Sequence, residues 1–141
     1  MQLSRLHLLL PTFGVFPFIA CLALSFLGVT DLAVLINPLY IANTYGLTII
    51  SFMAGTHWGF YLYKASRIRF LISSNIITIA AWVAFLLYPP QLTALILAFC
   101  FIAVLASDAS LAREQHLNLR YMKVRYVMTS IVVICLVGVA I

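Results

Sequence analysis

Apolar residues fill five long stretches of this chain, separated by short polar or proline-bearing segments, and none shows the period-two alternation of a half-buried strand. The runs predict helices over about residues 8–29, 41–63, 70–88, 91–111 and 121–141. Each approaches the roughly 20 residues that cross a bilayer core of about 30 Å. The expected fold is all-α, with five transmembrane helices in one compact bundle and residues 1–141 forming a single transmembrane domain. The lack of alternation argues against a membrane barrel.

Punctuation between the runs refines this picture. Pro11 and Pro17 interrupt the hydrogen-bond ladder of the first run and predict a bend there. Residues 30–40 are too short to span and too apolar to float free, so they are expected as a short helix or turn in the outer interface. Pro89-Pro90 removes two backbone donors and predicts a tight turn after the third run. The first run resembles a secretory signal, yet it exceeds the usual apolar core of about 7–15 residues. No repeat of 20–50 residues is evident, which weakens a transporter built on inverted repeats.

Charge gives the threading a direction. All eight Lys and Arg fall within the first seven residues, between Lys64 and Arg69, or between Arg113 and Arg125. Alternating spans put these clusters on one face. Juxtamembrane Lys and Arg are retained on the cytoplasmic side, so the amino terminus is expected inside and the carboxyl terminus outside a bacterial inner membrane. The tyrosines agree, with Tyr40, Tyr45 and Tyr88 expected at the outer interface and Tyr61, Tyr63, Tyr121 and Tyr126 at the inner one. Composition supports the class: 65% of the 141 residues are hydrophobic and only 8% charged. The mean hydropathy is +1.16, and five spans of roughly 20 residues would use about two thirds of the chain and leave no room for an extramembrane domain. The net charge of +5 reads as topology signal and contact with anionic headgroups, and not as a nucleic-acid surface. Cys21, Cys100 and Cys135 are single residues inside apolar runs and read as buried thiols.

Candidate chemistry lies where polar residues enter the apolar runs. Ser51, Gly55 and Gly59 recur every four residues and predict close helix packing, against a neighbour within the chain or, as the alternative, a second copy. His57 lies nearly opposite Gly55 on the same helix, about 200° away at 100° per residue. His57 is seven residues before Lys64, Asn75 six after Arg69, and Asp108 five before Arg113. At 1.5 Å per residue each sits about 7–11 Å in from its basic flank, level with Arg125. Ionisable groups at such depth face the bundle interior and find partners, because lipid exposure costs about 2.5–3.5 kcal/mol even on lenient scales. Asp108 and Arg125 are expected to pair. The pair reads either as a clamp between the fourth and fifth helices or as part of a site. Asn75 and the nearby Ser73, Ser74, Thr78, Thr129 and Ser130 read as interhelical glue or ligand contacts. His57 can hold a helix contact with one ring nitrogen and offer the other to a proton or ligand.

Several short motifs carry a resemblance. Tyr45-Gly46, the stretch Ile50 to Gly59 ending in His57-Trp58-Gly59, Asp108, and Leu119-Arg120-Tyr121 through Met128-Thr129 together resemble the DUF3429 family of unknown function. The chain departs from the family pattern at Met53, Ala54, Met122 and Lys123. The resemblance implies a small five-helix inner-membrane protein, with eukaryotic relatives among small mitochondrial transmembrane proteins, and implies no activity. By motif match it singles out His57, Trp58, Asp108 and Arg125.

The functional expectation is a binding or accessory module. A polar pocket in the cytoplasmic half, drawn from His57, Trp58, Asn75, Asp108 and Arg125, would hold a lipid, a quinone or another amphipathic molecule. Membrane lipids, a membrane-protein partner or a second copy are the expected partners, with no nucleic acid. Proton-coupled transport of a small molecule is the alternative, although the outer half offers no matching ionisable group. A membrane redox enzyme comes third, because His7 and His116 lie near or beyond the inner helix ends while His57 lies inside. No metal-ligand spacing or complete catalytic motif is present, so enzymatic activity is not the favoured class and no resident cofactor is expected.

Overall fold

The computed structural model describes residues 3–29, 37–64, 67–115 and 119–141. It contains α1 (Leu3–Phe26), α2 (Pro38–Lys64), α3 (Ile68–Leu87), α4 (Pro90–Gln115) and α5 (Leu119–Ala140), and no strand among the described residues. Three of these, α3, α4 and α5, are long and apolar enough to cross a membrane. In α1 the apolar stretch Thr12–Phe26 is shorter. In α2 the polar insertions Asn43, Thr44, Thr48, Ser51, Thr56 and His57 dilute an otherwise apolar helix of 27 residues.

Local chemistry sets the helix ends. The helix α1 continues through Pro11 and Pro17 and stops at a left-handed glycine, Gly28, with φ of 72°. The Gly28 amide donates to Ser25 O and the Val29 amide to Leu24 O, which satisfies two of the carbonyls a helix end exposes. Asn37 opens α2. Its Oδ1 accepts from the Leu39 and Tyr40 amides at 2.9 and 3.4 Å, and Pro38 fills the first helical position, where no amide is needed. The expected interfacial element over residues 30–40 therefore overlaps the start of α2, while its portion 30–36 lies outside the described residues. Extended backbone at Tyr88, with ψ of 155°, ends α3 ahead of Pro89, and Pro90 begins α4. The Thr93 hydroxyl lies 3.1 Å from Ala84 O and 3.2 Å from Tyr88 O, stitching this turn together.

The helices close a ring in chain order, α1 to α5 and back to α1, and α2 also touches α4 and α5. Each helix packs against the next across a short link, so direction alternates. The ends of α3, α4 and α5 that carry Arg69, Arg113 and Arg120 therefore lie together, while Gly138 near the end of α5 meets Leu22 near the end of α1 at the other end of the bundle. The core is built on Phe18, whose ring stands 5.1 Å from Tyr45 and edge-on to Phe101 at 5.9 Å. Alanines at 42, 81, 84, 94 and 98 are buried and bring α2, α3 and α4 close. Outward, large apolar side chains such as Phe13, Phe52, Ile76, Trp82, Phe99 and Ile134 are exposed on every helix. Such a surface is unfavourable in water and suits a bilayer.

Candidate functional site

A stripe at helical spacing decides which α2 side chains enter the bundle: Ala42, Gly46, Ile50, Ala54 and His57 are buried. His57 is fully buried, and its Nε2 lies 2.7 Å from Asp108 Oδ1 on α4. Because the carboxylate can only accept, Nε2 carries the proton in this contact. The other carboxylate oxygen, Oδ2, takes the Arg125 guanidinium from α5 in an ion pair. Arg125 Nη1 donates to the Met53 sulfur at 3.2 Å, returning the network to α2 one turn before His57. Asp108 and Arg125 are each 7% exposed, so the three helices are joined through groups almost wholly removed from solvent. The Phe70 ring of α3 lies 6.5 Å from the imidazole.

Two nitrogens of this cluster remain unsatisfied: His57 Nδ1 and Arg125 Nε are buried without a hydrogen-bond partner. Arg125 also forms part of the wall of a cleft of about 490 Å³ between α1, α2 and α5, floored by Phe101 of α4. Tyr121, Arg125 and Thr129 recur at one-turn spacing along the α5 wall, and Val132 continues it inward. Met53 and Thr56 face them from α2, and Gly14 and Phe18 from α1. The volume falls within the range of small-molecule sites, about 300–1,000 Å³, and the lining is largely apolar with a few convergent polar groups.

The residues singled out by sequence separate into two groups. His57, Asp108 and Arg125 come together, and of these only Arg125 lines the cleft, with His57 and Asp108 behind it. Asn75 lies apart, exposed on α3, because that helix turns Phe70, Ser74, Ala81 and Ala84 inward and residue 75 falls about 100° from Ser74. Trp58, next to buried His57, is 43% exposed for the same reason. Ser51, Gly55 and Gly59 are exposed, and a Cβ at either glycine would meet nothing within 4 Å. The expected intramolecular packing at this seam is therefore replaced by Gly46, where a Cβ would lie 3.4 Å from Leu97 and 3.6 Å from Phe18. Tyr45 is half-buried and donates to Gly14 O at 3.1 Å, so its hydroxyl has a partner within the bundle.

Sequence reasoning passed over Met53 and gave Tyr121 no role in a site. The four-residue spacings Met53–His57 and Tyr121–Arg125–Thr129 were the available signal, since they put these pairs on one face. A second, smaller network at the basic end joins Arg69 and Arg67 to Glu114, the latter contact at 3.7 Å. Among the described residues no cluster of three His, Cys, Asp or Glu side chains could hold a metal ion.

Neither a curated protein nor a solved structure matches the chain. A family does: the chain matches the family described as protein of unknown function (DUF3429) over residues 3–141, nearly its whole length, and belongs to it.

Proposed function

We propose that this protein is a multi-pass bacterial inner-membrane protein with five spans, its amino terminus cytoplasmic, that binds a small amphipathic molecule such as a lipid or quinone. The cleft between α1, α2 and α5 is the binding site in this reading. The observation that carries it is Arg125: a buried guanidinium on the wall of an apolar cleft, held in place by Asp108 and with Nε unsatisfied. Its partner Asp108 is fixed in turn by His57, so both act as positioning residues. Apolar side chains exposed on α1 and α2 as well as α3 to α5 support five spans over three. Basic residues at one end support the orientation.

Native mass spectrometry of the purified chain tests the site. A co-purifying amphiphile is expected on the parent protein and is expected to be lost in Thr56→Trp, which adds bulk to the cleft lining from an exposed position. It should persist in Asn75→Ala and Trp58→Ala, whose side chains lie elsewhere. Equal retention in all three variants would remove the cleft from consideration. Proton-coupled transport is a second reading, favoured by the unpartnered His57 Nδ1 beside Asp108. The lumenal pH of proteoliposomes carrying the protein would then change on imposing a substrate gradient, whereas a binding module leaves it unchanged.

A further inference from the structure

We propose that the head group taken by this cleft is an uncharged hydrogen-bond acceptor, a quinone, ketone or ester carbonyl on an apolar tail, and not a carboxylate, sulfonate or phosphate. The inference rests on the cleft being a binding site and narrows what enters it.

The cleft offers donors. Arg125 spends Nη1 on a thioether, a weak acceptor, and leaves Nε unsatisfied. Thr129, 5% exposed and lining the same wall, has no helix carbonyl for its hydroxyl, whereas Thr56 across the cleft donates to Met53 O at 2.7 Å and Ser130 to Tyr126 O at 2.9 Å. The Thr129 hydroxyl therefore calls for an acceptor oxygen in the cleft, one helical turn along the α5 wall from Arg125.

Charge then selects among acceptors. Arg125 is the one charged side chain among the described residues lining the cleft, and its charge is already balanced by Asp108 in a buried pair. An anionic head would bring a second negative charge to one cation in a low-dielectric site. It would either remain uncompensated or draw Arg125 from Asp108, leaving that carboxylate with His57 alone. A carbonyl accepts the same hydrogen bonds and adds no charge. Arg120 and Lys123 are exposed and do not line the cleft, so solvent screens their charge from an anion buried there. Polarity along the cleft fits a head and tail. Tyr121, Arg125 and Thr129 lead to Val132 over about 16 Å, with Phe18 and Phe101 at the apolar end.

The test uses the full chain in phosphatidylcholine nanodiscs, a photoreactive methyl ester of a long-chain fatty acid as tracer, and three competitors of equal tail length: the plain methyl ester, the alkyl sulfonate and the alkane. Methyl ester is expected to compete at least about tenfold more tightly than sulfonate, the difference a hydrogen bond without a charge penalty supports. Thr129→Val should weaken the ester several-fold without changing the alkane, and Thr129→Ser should restore it. Sulfonate binding as tightly as the ester, or an ester affinity indifferent to Thr129→Val, overturns the neutral-head assignment and leaves the cleft as a site. No saturable labelling of cleft residues by the tracer overturns the cleft reading itself, and this proposal with it.

Discussion

His57 Nε2 approaches Asp108 Oδ1 to 2.7 Å while Asp108 Oδ2 holds Arg125, so a single carboxylate on α4 ties α2 to α5. Each partner relies on the others for solvation, because all three are buried. Asp108→Ala should destabilise the purified protein by about 3–5 kcal/mol, since it leaves Arg125 charged without its counterion. Arg125→Met should be costly as well, and the double variant should cost less than the sum of the two. Thermal unfolding in detergent measures the cycle; strict additivity would mean that the two side chains do not interact.

The glycines of α2 should behave differently from one another. Gly55→Ala and Gly59→Ala meet open space within the chain, so each should leave monomer stability unchanged or raise it by up to about 1 kcal/mol through helix propensity. Gly46→Leu, driven against Leu97 and Phe18, should instead destabilise by about 1–3 kcal/mol. Melting temperatures separate the two sites. A Gly55→Leu variant of normal stability but altered elution volume would identify the outward seam as a contact between copies.

Much of the helical framework could be read from the chain because apolar runs, prolines and basic flanks are local signals. The Pro89-Pro90 turn and all five helices fall near their expected positions. The pairing of Asp108 with Arg125 was legible from depth, since buried ions at one level must find each other. Rotation about the helix axis was harder to read in helices apolar on most sides. That is why Asn75 matched the cluster in depth but faces outward, and why the Ser51-Gly55-Gly59 seam lies outside. The cleft was not legible, because its walls come from α1, α2, α4 and α5 and its volume depends on packing between them.

Asn43 offers a test at the end of the bundle away from the basic residues. Its Nδ2 donates to Pro90 O at 2.8 Å, while its buried Oδ1 has no partner. Asn43→Ala loses one bond but also removes the unsatisfied oxygen, so the expected loss is only about 1 kcal/mol. Asn43→Asp should cost about 3 kcal/mol or more, because a buried carboxylate would face the Pro90 carbonyl without a donor. Equal melting temperatures for the two variants would show that this contact opens to water.

Topology separates five spans from three with cysteine labelling, since native Cys21, Cys100 and Cys135 are buried and give little background. Tyr88→Cys, at the exposed α3–α4 turn, should react with a membrane-impermeant maleimide added outside intact cells. Arg67→Cys, at the basic end, should react only after permeabilisation if the proposed orientation, with Lys and Arg on the inner face, holds. Leu27→Cys carries the decisive comparison. Leu27 is 77% exposed just beyond α1, so if α1 and α2 both cross the membrane it should label from outside together with Tyr88→Cys. If only α3, α4 and α5 cross, α1 and α2 remain on the inner face and Leu27→Cys should label only after permeabilisation, together with Arg67→Cys. Labelling of Arg67→Cys from outside and of Tyr88→Cys only from inside would reverse the orientation altogether.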